Sequence, residues 1–315
     1  MKRLRRYYIE ITLILLLGVA VGYFAYLGYG LLAPSYTLEP FSGERAKFYV
    51  DQQAAFGPRA AGTENSLRAG DWLVEELRLL GWDVLIQPFT AYNGISARNI
   101  IAMRGEGPAA GPVAILSTHY DSRLYADQDP DEAGRIEPAP GANAGASGPG
   151  VLLELARTLD VPASGHTVCL VLFDAEDNGG LEGWAYALGS AYFVQRLSED
   201  APRCSSPRVA VYLDMVGGAR GRLSAISPDT RGLVDALVET AERIGYTGAF
   251  IGPHVRDETD ALTHFSAAGV PAVMIGEFDY EYRHTLSDTP DKVMSATLQR
   301  VGDVLKAWLE RGAQF

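Results

Sequence analysis

In this chain of 315 residues, short apolar runs typical of strands alternate with segments in which apolar residues recur at helical spacing. Short apolar runs predict buried strands at 113–118, 167–173 and 208–213, and segments near 149–159 and 190–197 have a helical period. Because strands alternate with helices, we expect a largely parallel or mixed twisted sheet with helices on both faces. The sequence therefore predicts an α/β fold.

The same two patterns predict the elements before and after this central part. Helices are expected at 42–56 and 66–80, and strands at 82–89 and 97–103, with an Asn-Gly turn between the strands. Near the carboxyl end, apolar residues recur at helical spacing and predict a last helix that packs on the core. They are Leu298, Val301, Val304, Leu305 and Trp308.

The first part of the chain predicts a membrane anchor. Residues 11–32 contain no charged side chain and are numerous enough to cross a bilayer as a helix. Residues 1–10 carry more positive than negative charge, which predicts a cytoplasmic amino terminus. A cleaved signal peptide is the competing interpretation, but its apolar core normally has about 7 to 15 residues. We therefore predict a single-pass membrane protein with a tail at 1–10, an anchor at 11–32, a tether at 33–41 and an extracytoplasmic domain at 42–315.

The charge of the chain narrows the classes of partner. The formal net charge is −12 at pH 7, and the residues beyond the basic tail are more acidic than this total. An acidic surface repels phosphate backbones, so nucleic acid is not expected as a partner. It suits substrates with a free amino group, although net negative charge also serves solubility.

The two cysteines do not by themselves form a disulfide framework. Cys169 lies in a predicted apolar strand, and Cys204 lies in a polar segment with proline and serine. An extracytoplasmic domain allows a bridge between them. The sequence leaves open whether they pair.

Acidic residues and a histidine follow two of the predicted strands. Glu176 and Asp177 come after a wholly apolar strand, and His119 and Asp121 stand at the end of another. Carboxylates at the carboxyl end of a buried strand are costly to desolvate and lie where α/β sheets open their ligand crevice. In the Glu-Asp pair, one carboxylate can bind a metal while the other transfers a proton. An exposed acidic turn is the alternative.

Two further residues extend this pattern. Asp214 follows a third apolar strand, and His284 lies in an irregular polar segment. Asp121 stands two residues after His119, an arrangement that orients an imidazole toward a metal. Histidines and carboxylates together are the ligands that zinc uses in catalytic sites. The sequence therefore predicts a metal or proton-transfer site at the carboxyl edge of the sheet.

The long segment 123–148 has no periodicity, and loops of this size in compact domains are usually functional. Its acidic residues at 127–132 lack the central glycine and the terminal glutamate of an EF-hand calcium loop. We expect a solvated, charged loop there rather than a calcium site.

A set of short segments carries a resemblance to a known family. In chain order they are Gly57-Pro58-Arg59, His119-Tyr120-Asp121-Ser122, 141–148, 174–177, 213–217 and His284-Thr285. Read together, they resemble the zinc aminopeptidase family that also contains the glutaminyl-peptide cyclotransferases. The resemblance covers roughly residues 56–309. It implies a zinc-dependent catalytic domain that acts on peptide or protein amino termini.

The dizinc aminopeptidases of this family imply one assignment of the site residues. His119 and Asp214 match the ligands of one zinc ion. Asp177 and His284 match the ligands of the other. Glu176 matches the general base that activates the water nucleophile.

The cyclotransferases, which use a single zinc ion, imply a second assignment. Asp177 and His284 again match ligands, and Glu176 matches the group that transfers protons. Asp214 and Asp260 match hydrogen-bonded supports of that group. One zinc ion is therefore expected from this branch, and two from the aminopeptidase branch.

Several details favour the cyclotransferase branch, among them Trp184 shortly after the carboxylate pair. The resemblance implies that Trp184 covers the side chain of a bound glutamine; a packing role is the alternative. We therefore expect cyclisation of an N-terminal glutamine to pyroglutamate with release of ammonia. A zinc aminopeptidase is the alternative within the family.

Some residues depart from the family's pattern. Ala144 stands where both branches place a zinc-binding aspartate, and an alanine side chain cannot bind a metal. Asp177 replaces the more usual glutamate, and Arg283 replaces the tryptophan that cyclotransferases carry before the histidine. The expected set of ligands is therefore incomplete.

Different hypotheses account for the missing ligand. In the first, Asp177 and His284 bind a single zinc ion together with His119 or water. In the second, a carboxylate from the acidic loop 127–137 takes the vacant place. In the third, the domain is an inactive binding or scaffold module that kept the fold.

Overall fold

The computed structural model describes residues 7, 15–23, 39–181, 183–228, 230–251 and 260–315. The chain divides into two compact units, Met1–Glu39 and Pro40–Phe315. In the first unit, residues 15–23 are helical. No helix within the described ranges is long and apolar enough to cross a membrane.

The predicted tail, anchor and tether fall mainly outside the described residues. Of the anchor 11–32 only residues 15–23 are described, and of the tether 33–41 only residues 39–41. The membrane anchor and the topology that it implies therefore remain predictions.

A mixed sheet of eight strands forms the centre of the second unit, as far as the chain is described. The strands are β1 (Asp83–Thr90), β2 (Ser96–Arg104), β3 (Val113–His119), β4 (Thr167–Phe173), β5 (Val209–Asp214), β6 (Leu223–Ile226), β7 (Phe250–Ile251) and β8 (Ala272–Gly276). Their order in the sheet is β1-β2-β4-β3-β5-β8-β6-β7. The pairs β4–β3, β3–β5 and β5–β8 are parallel, whereas the pairs β1–β2, β2–β4 and β8–β6 are antiparallel.

The helices of this unit are α1 (Gly43–Ala54), α2 (Glu64–Leu79), α3 (Ser147–Thr158), the short α4 (Val161–Ser164), α5 (Leu188–Asp200), α6 (Arg231–Arg243), α7 (Ala261–Ala267) and α8 (Ser295–Leu309). Together with the sheet they confirm the predicted α/β class. The predicted central strands end within one residue of the observed ones.

Helices cover both faces of the sheet, so the residues of the central strands are buried on both sides. In β3, Ala114 and Leu116 belong to a core formed with α1, α2, α3, α6 and α8. Val113 and Ile115, which point the other way, belong to a second core formed with α5 and α7. The last helix therefore packs on the core as predicted.

Local capping explains where the first helices begin and end. The side chains of Ser42 and Thr63 accept hydrogen bonds from the backbone N–H groups of Arg45 and Ser66, each at 3.3 Å. Gly81, just after α2, has a φ of +80°, which glycine adopts without steric cost. These signals lie in the sequence itself, so both helices were predicted close to their observed limits.

Six of the described elements lie outside the predicted set: β6, β7, β8, α4, α6 and α7. Strands β6 and β7 have only four and two residues, too few for a period to show. Helix α7 has seven residues and follows the undescribed segment 252–259. Strands β6 and β7 extend the sheet beyond β8, while α6 packs on the first core and α7 on the second.

Cys169 and Cys204 form a disulfide, which settles the pairing that the sequence leaves open. Cys169 lies on β4, Cys204 lies shortly after α5, and both are fully buried in the second core. The bond therefore ties the end of α5 to the central sheet.

Replacing both cysteines, Cys169→Ala with Cys204→Ala, should lower the free energy of unfolding by about 2 to 4 kcal/mol. The bond joins residues 35 positions apart, and this closure restricts the unfolded chain. Urea unfolding of the oxidised wild type and the double variant measures the difference. A reducing agent should move the wild-type midpoint toward that of the variant, and equal midpoints in all samples would contradict the prediction.

Candidate active site

The carboxyl ends of the parallel strands meet at one edge of the sheet and form a polar cavity. Every predicted catalytic or metal-binding residue lines it: His119, Glu176, Asp177, Asp214, Asp260 and His284. Side chains from segments 165 residues apart along the chain thus share one site. Other side chains in the lining include Arg123, Tyr186, Tyr212 and Arg283.

His119 ends β3, and the imidazole is oriented from both sides. Its Nδ1 lies 3.1 Å from the backbone oxygen of Asp121 and 3.3 Å from Oδ1 of the same residue. Its Nε2 lies 3.4 Å from Oδ1 of Asp214. Burial alone would lower the pKa of His119, but these two carboxylates raise it well above its usual value.

Asp121 has a second role that the sequence did not reveal. Its Oδ2 accepts hydrogen bonds from the backbone N–H groups of Glu176 at 3.1 Å and of Asp177 at 3.2 Å. One fully buried carboxylate therefore orients His119 and also positions the turn after β4. The interaction joins the ends of two neighbouring strands.

The turn after β4 reverses the chain through a strained residue. Ala175 has a φ of +57°, in the left-handed region that costs a non-glycine residue about 1 kcal/mol or more. Asp174 supports it by accepting hydrogen bonds from the N–H of Ala175 and from the hydroxyl of Tyr120. Burial raises the pKa of Asp174 to about 7. The turn places the side chains of Glu176 and Asp177 in the cavity.

Glu176 is a buried carboxyl group with one backbone partner. Its Oε1 accepts a hydrogen bond of 2.5 Å from the N–H of Ser190, in the first turn of α5. Burial raises the pKa of Glu176 to about 8, although the hydrogen bond from Ser190 acts in the opposite direction. A carboxyl group with a pKa near neutrality is suited to general acid and base catalysis.

Asp177 and His284 form a close pair. The Nε2 of His284 lies 2.9 Å from Oδ1 of Asp177. Burial opposes ionisation of Asp177, but His284, His119 and Arg123 outweigh it and hold its pKa well below the usual range. The other oxygen, Oδ2, is buried and has no hydrogen-bond partner among the described residues. That oxygen is free to bind an ion.

Asp214 and Asp260 complete the acidic lining. Asp214 ends β5, and the next residue, Met215, has a φ of +53° that turns the chain away from the sheet. Asp260 caps α7, where its Oδ1 accepts a hydrogen bond from the N–H of Thr263 at 3.3 Å. Both carboxylates therefore reach the cavity from the ends of regular elements.

Tyr212 is a lining residue that the sequence reasoning missed. Burial, together with the charges of Glu176, Asp214 and other carboxylates, raises its pKa well above 10, so the phenol stays protonated and can donate. It stands two residues before Asp214 on β5, and alternate residues of a strand share a face. This two-residue spacing was the signal in the sequence that could have identified Tyr212.

Trp184 lies outside the cavity lining. It is 8% exposed, its ring packs against that of Tyr92 with centroids 5.6 Å apart, and it belongs to an apolar cluster with Phe89. This is the position of a packing residue. The expected contact with a substrate side chain stays a prediction, and the aromatic residues that line the cavity are Tyr186 and Tyr212.

Ala144 brings no ligand to the site. Its N–H donates to Oδ2 of Asp288 at 3.1 Å, and its side chain is buried in a small cluster with Met215 and Tyr280. No other carboxylate takes its place from the acidic loop, where Asp127 is bound by Arg123 through two hydrogen bonds. The hypothesis of a loop carboxylate as replacement ligand is therefore not supported.

The donors of the cavity suit zinc in type and orientation. They form two nitrogen–oxygen pairs, His119 with Asp214 and His284 with Asp177, and in each pair Nε2 faces the carboxylate while Nδ1 has another partner. Neither pair has a third donor, since no group of three or more metal-binding side chains occurs within the described ranges. Each pair therefore offers two of the three protein ligands that catalytic zinc sites usually supply.

Comparison with known proteins agrees with this geometry. The profile of Peptidase family M28 matches residues 99–309, more than half of the chain. The chain belongs to peptidase family M28. This finding confirms the resemblance to zinc aminopeptidases and glutaminyl cyclases.

Solved structures similar to this M28 protein include both kinds of enzyme. A glutaminyl cyclase from Fimbriiglobus ruber is 30% identical with a TM-score of 0.77, and the match covers 89% of this chain and 98% of that one. A Zn-dependent exopeptidase from Parabacteroides distasonis is 29% identical with a TM-score of 0.76, over 87% and 99% of the two chains.

A curated relative supports the same family. Aminopeptidase YwaD of Bacillus subtilis is 27% identical over 229 residues, which are 69% of this chain. The chain spans only 45% of the length of that relative.

Glu176→Gln should change how the stability of the metal-free M28 protein depends on pH. The folded protein keeps a proton on Glu176 that the unfolded chain loses, so the wild type should lose stability as the pH rises from about 4.5 to about 8. The loss is at most about 1.4 kcal/mol per pH unit, and the glutamine variant should not show it. Denaturant midpoints with a chelator present measure both curves, and parallel curves would contradict the prediction.

Ala144→Asp should raise the zinc affinity of this M28 protein by at least about tenfold, because it supplies the absent carboxylate. Equilibrium dialysis against a competing chelator measures the dissociation constant. Ala109→Asp, at an exposed position outside the cavity lining, is the charge-matched control. Equal affinities in Ala144→Asp and wild type would place the missing ligand elsewhere.

Proposed function

We propose that this protein is a zinc-dependent enzyme of peptide amino termini that cyclises N-terminal glutamine. The observation that carries the proposal is Glu176, a buried carboxyl group with a pKa of about 8, lining one cavity with the Asp177–His284 pair. The similarity to the glutaminyl cyclase of Fimbriiglobus ruber supports this choice.

The proton affinity of Glu176 matches the reacting group. A peptide α-ammonium group has a pKa of about 7.7 to 8.0, so its proton passes to ionised Glu176 at nearly equal free energy and the nucleophilic free amine is accessible near neutral pH. Glu176 would take a proton from the α-amine as its nitrogen attacks the carbonyl carbon of the γ-carboxamide. The same group would return that proton to the departing nitrogen, which leaves as ammonia.

The other residues of the cavity have supporting roles in the proposal. Asp177 and His284 would bind a zinc ion, which supplies polarisation of the amide carbonyl when it is bound. Asp214 and Asp260 would attract the amino group of the substrate and support Glu176. Tyr212 would donate a hydrogen bond within a cavity where most groups accept.

A zinc aminopeptidase is the second candidate function. The His119–Asp214 pair favours it, because a second nitrogen–oxygen pair offers a place for a second ion. The names of the relatives from Bacillus subtilis and Parabacteroides distasonis agree with it. Glu176 would then take its proton from water, which would attack the first peptide bond.

A noncatalytic binding domain is the third candidate, and Ala144 is the observation that favours it. The retained donor pairs and Glu176 argue against it. Peptide amino termini are the proposed partners in each case, and the predicted membrane anchor would place the domain at a membrane surface.

The deciding experiment incubates the zinc-supplemented full chain with a peptide that begins with glutamine and analyses the products by mass spectrometry. Loss of ammonia is the expected result, and Glu176→Gln should lower the rate by at least about 100-fold. Loss of the whole first residue would instead identify an aminopeptidase. The same peptide with an acetylated amino terminus is the control.

An unchanged peptide, at a zinc concentration that saturates the protein, would overturn both enzymatic proposals. Recovery of activity in Ala144→Asp would then locate the cause in the missing ligand.

A further inference from the structure

The ring of Tyr212 is fixed in the second core. Tyr212 is 4% exposed, and its ring packs against that of Phe173 with centroids 6.4 Å apart. On β5 it pairs with Ser117 of β3 on one side and with Met274 of β8 on the other. A side chain anchored on a strand between two neighbouring strands is held more precisely than a side chain on a loop. The position of its hydroxyl is therefore determined before any substrate binds.

The hydroxyl of Tyr212 lies among the carboxylates of the cavity, which the residue helps to line. Burial, and after it the charges of Glu176, Asp214 and Asp260, raise the pKa of this hydroxyl, so the group is close to all three carboxylates. Within the described part of the chain, the hydroxyl makes no hydrogen bond to another residue. A buried ring thus presents an available O–H group to the cavity.

Two other donors in the lining are less suited to a substrate. Nη1 of Arg123 donates to two backbone oxygens of the turn after β4, and its Nε and Nη2 bind the carboxylate of Asp127. Tyr186 is 42% exposed, so water competes for its hydroxyl. Tyr212 combines a buried ring with a hydroxyl that stays available.

An amide that reacts in this cavity needs such a donor. When a nucleophile attacks the carbonyl carbon, an electron pair of the C=O double bond moves to the oxygen, which becomes negatively charged. The carboxylates of the cavity attract the amino group of a substrate but repel this oxygen. A hydrogen bond from a neutral hydroxyl stabilises the oxygen, and the phenol keeps its proton. When the electron pair returns, the bond to the leaving nitrogen breaks, and that nitrogen departs with the proton that Glu176 returns.

We propose that Tyr212 is a catalytic residue whose hydroxyl donates a hydrogen bond to the carbonyl oxygen of the amide under attack. Because the ring is already in place, the donor needs little reorganisation when charge develops on that oxygen. The hydrogen bond is stronger to a charged oxygen than to a neutral one, so it accelerates the reaction more than it tightens binding. The inference rests on the proposed function only in requiring that an amide carbonyl reacts in the cavity, and it applies to cyclisation and to hydrolysis alike.

The first test compares the steady-state kinetics of wild type and Tyr212→Phe, each as the zinc-loaded full chain, on a peptide that begins with glutamine. The variant keeps the ring and loses only the hydroxyl. We expect kcat to fall about 100-fold, as is typical for the loss of one such donor, and KM to stay nearly the same. Tyr125→Phe, at an exposed position outside the cavity lining, is the matched control and should react as the wild type does. An unchanged kcat in Tyr212→Phe would overturn the proposal.

Two further measurements on Tyr212→Phe test whether the hydroxyl acts in another way. Its zinc affinity, measured by dialysis against a competing chelator, should equal that of the wild type. Its urea unfolding midpoint should also stay close to the wild-type value. A large loss in either would attribute the slower reaction to the metal site or to packing, and the proposal would be wrong.

The second test detects the hydrogen bond without turnover. Two peptides that begin with glutamine carry ¹³C in the side-chain carbonyl or in the main-chain carbonyl of that residue, and each is bound to zinc-loaded Glu176→Gln. A hydrogen bond to an amide oxygen lowers the C=O stretching frequency, which infrared difference spectroscopy measures. Adding Tyr212→Phe should raise the frequency of the carbonyl that reacts, which is the side-chain carbonyl in the case of cyclisation. Equal frequencies in the two proteins for both labels would contradict the proposal.

The outcomes distinguish this inference from the proposed function. Release of ammonia by the wild type at a rate that Tyr212→Phe retains overturns the inference alone. Removal of the first residue, slowed in Tyr212→Phe, supports the inference and overturns cyclisation. A peptide that binds with the expected frequency difference but stays unchanged overturns the proposed function and confirms the contact of Tyr212 with the carbonyl oxygen. A peptide that does not bind overturns both.

Discussion

The buried carboxylate of Asp121 is the interaction on which the site depends. It accepts from the ring of His119 and from two backbone N–H groups of the turn after β4. A buried carboxylate without such donors would be strongly unfavourable, so its hydrogen bonds connect the end of β3 to the end of β4. That connection places His119, Glu176 and Asp177.

Arg59 reinforces the same region through the segment that follows β3. The guanidinium is fully buried and donates to backbone oxygens only, among them those of Tyr120 and Gly141. Burial lowers its pKa to about 10, while the nearby charges of Asp121 and Asp288 oppose that shift. Its positive charge offsets part of the negative charge at this edge of the sheet. This lowers the free-energy cost of burying several carboxylates there.

Backbone strain is concentrated around the cavity. Ala175, Ala187, Met215 and His284 all have a φ near +55°, which costs a non-glycine residue about 1 to 3 kcal/mol. Ala187 lies just before α5, and the other three stand at chain reversals that carry or follow site residues. Strain of this kind is typical of functional sites.

The sequence by itself determined the class of the fold and most members of the site. An apolar run with a polar end, such as the six residues 168–173 of β4 followed by Asp174, indicates burial and strand direction directly. Because parallel strands end at one edge, His119, Asp177 and Asp214 could be grouped without coordinates. The same patterns could not assign the short strands β6 and β7, whose periods are too brief.

Only the tertiary structure decided which groups touch. The Asp121 contacts with the turn after β4 span 55 and 56 residues, and the Gln128–His284 contact spans 156. The Cys169–Cys204 bond and the packing of Trp184 away from the cavity were equally hidden. Local periodicity reports which face of an element is buried, whereas the partner across a turn depends on strand order and loop path. Those are set by packing of the whole chain, and no single segment encodes them.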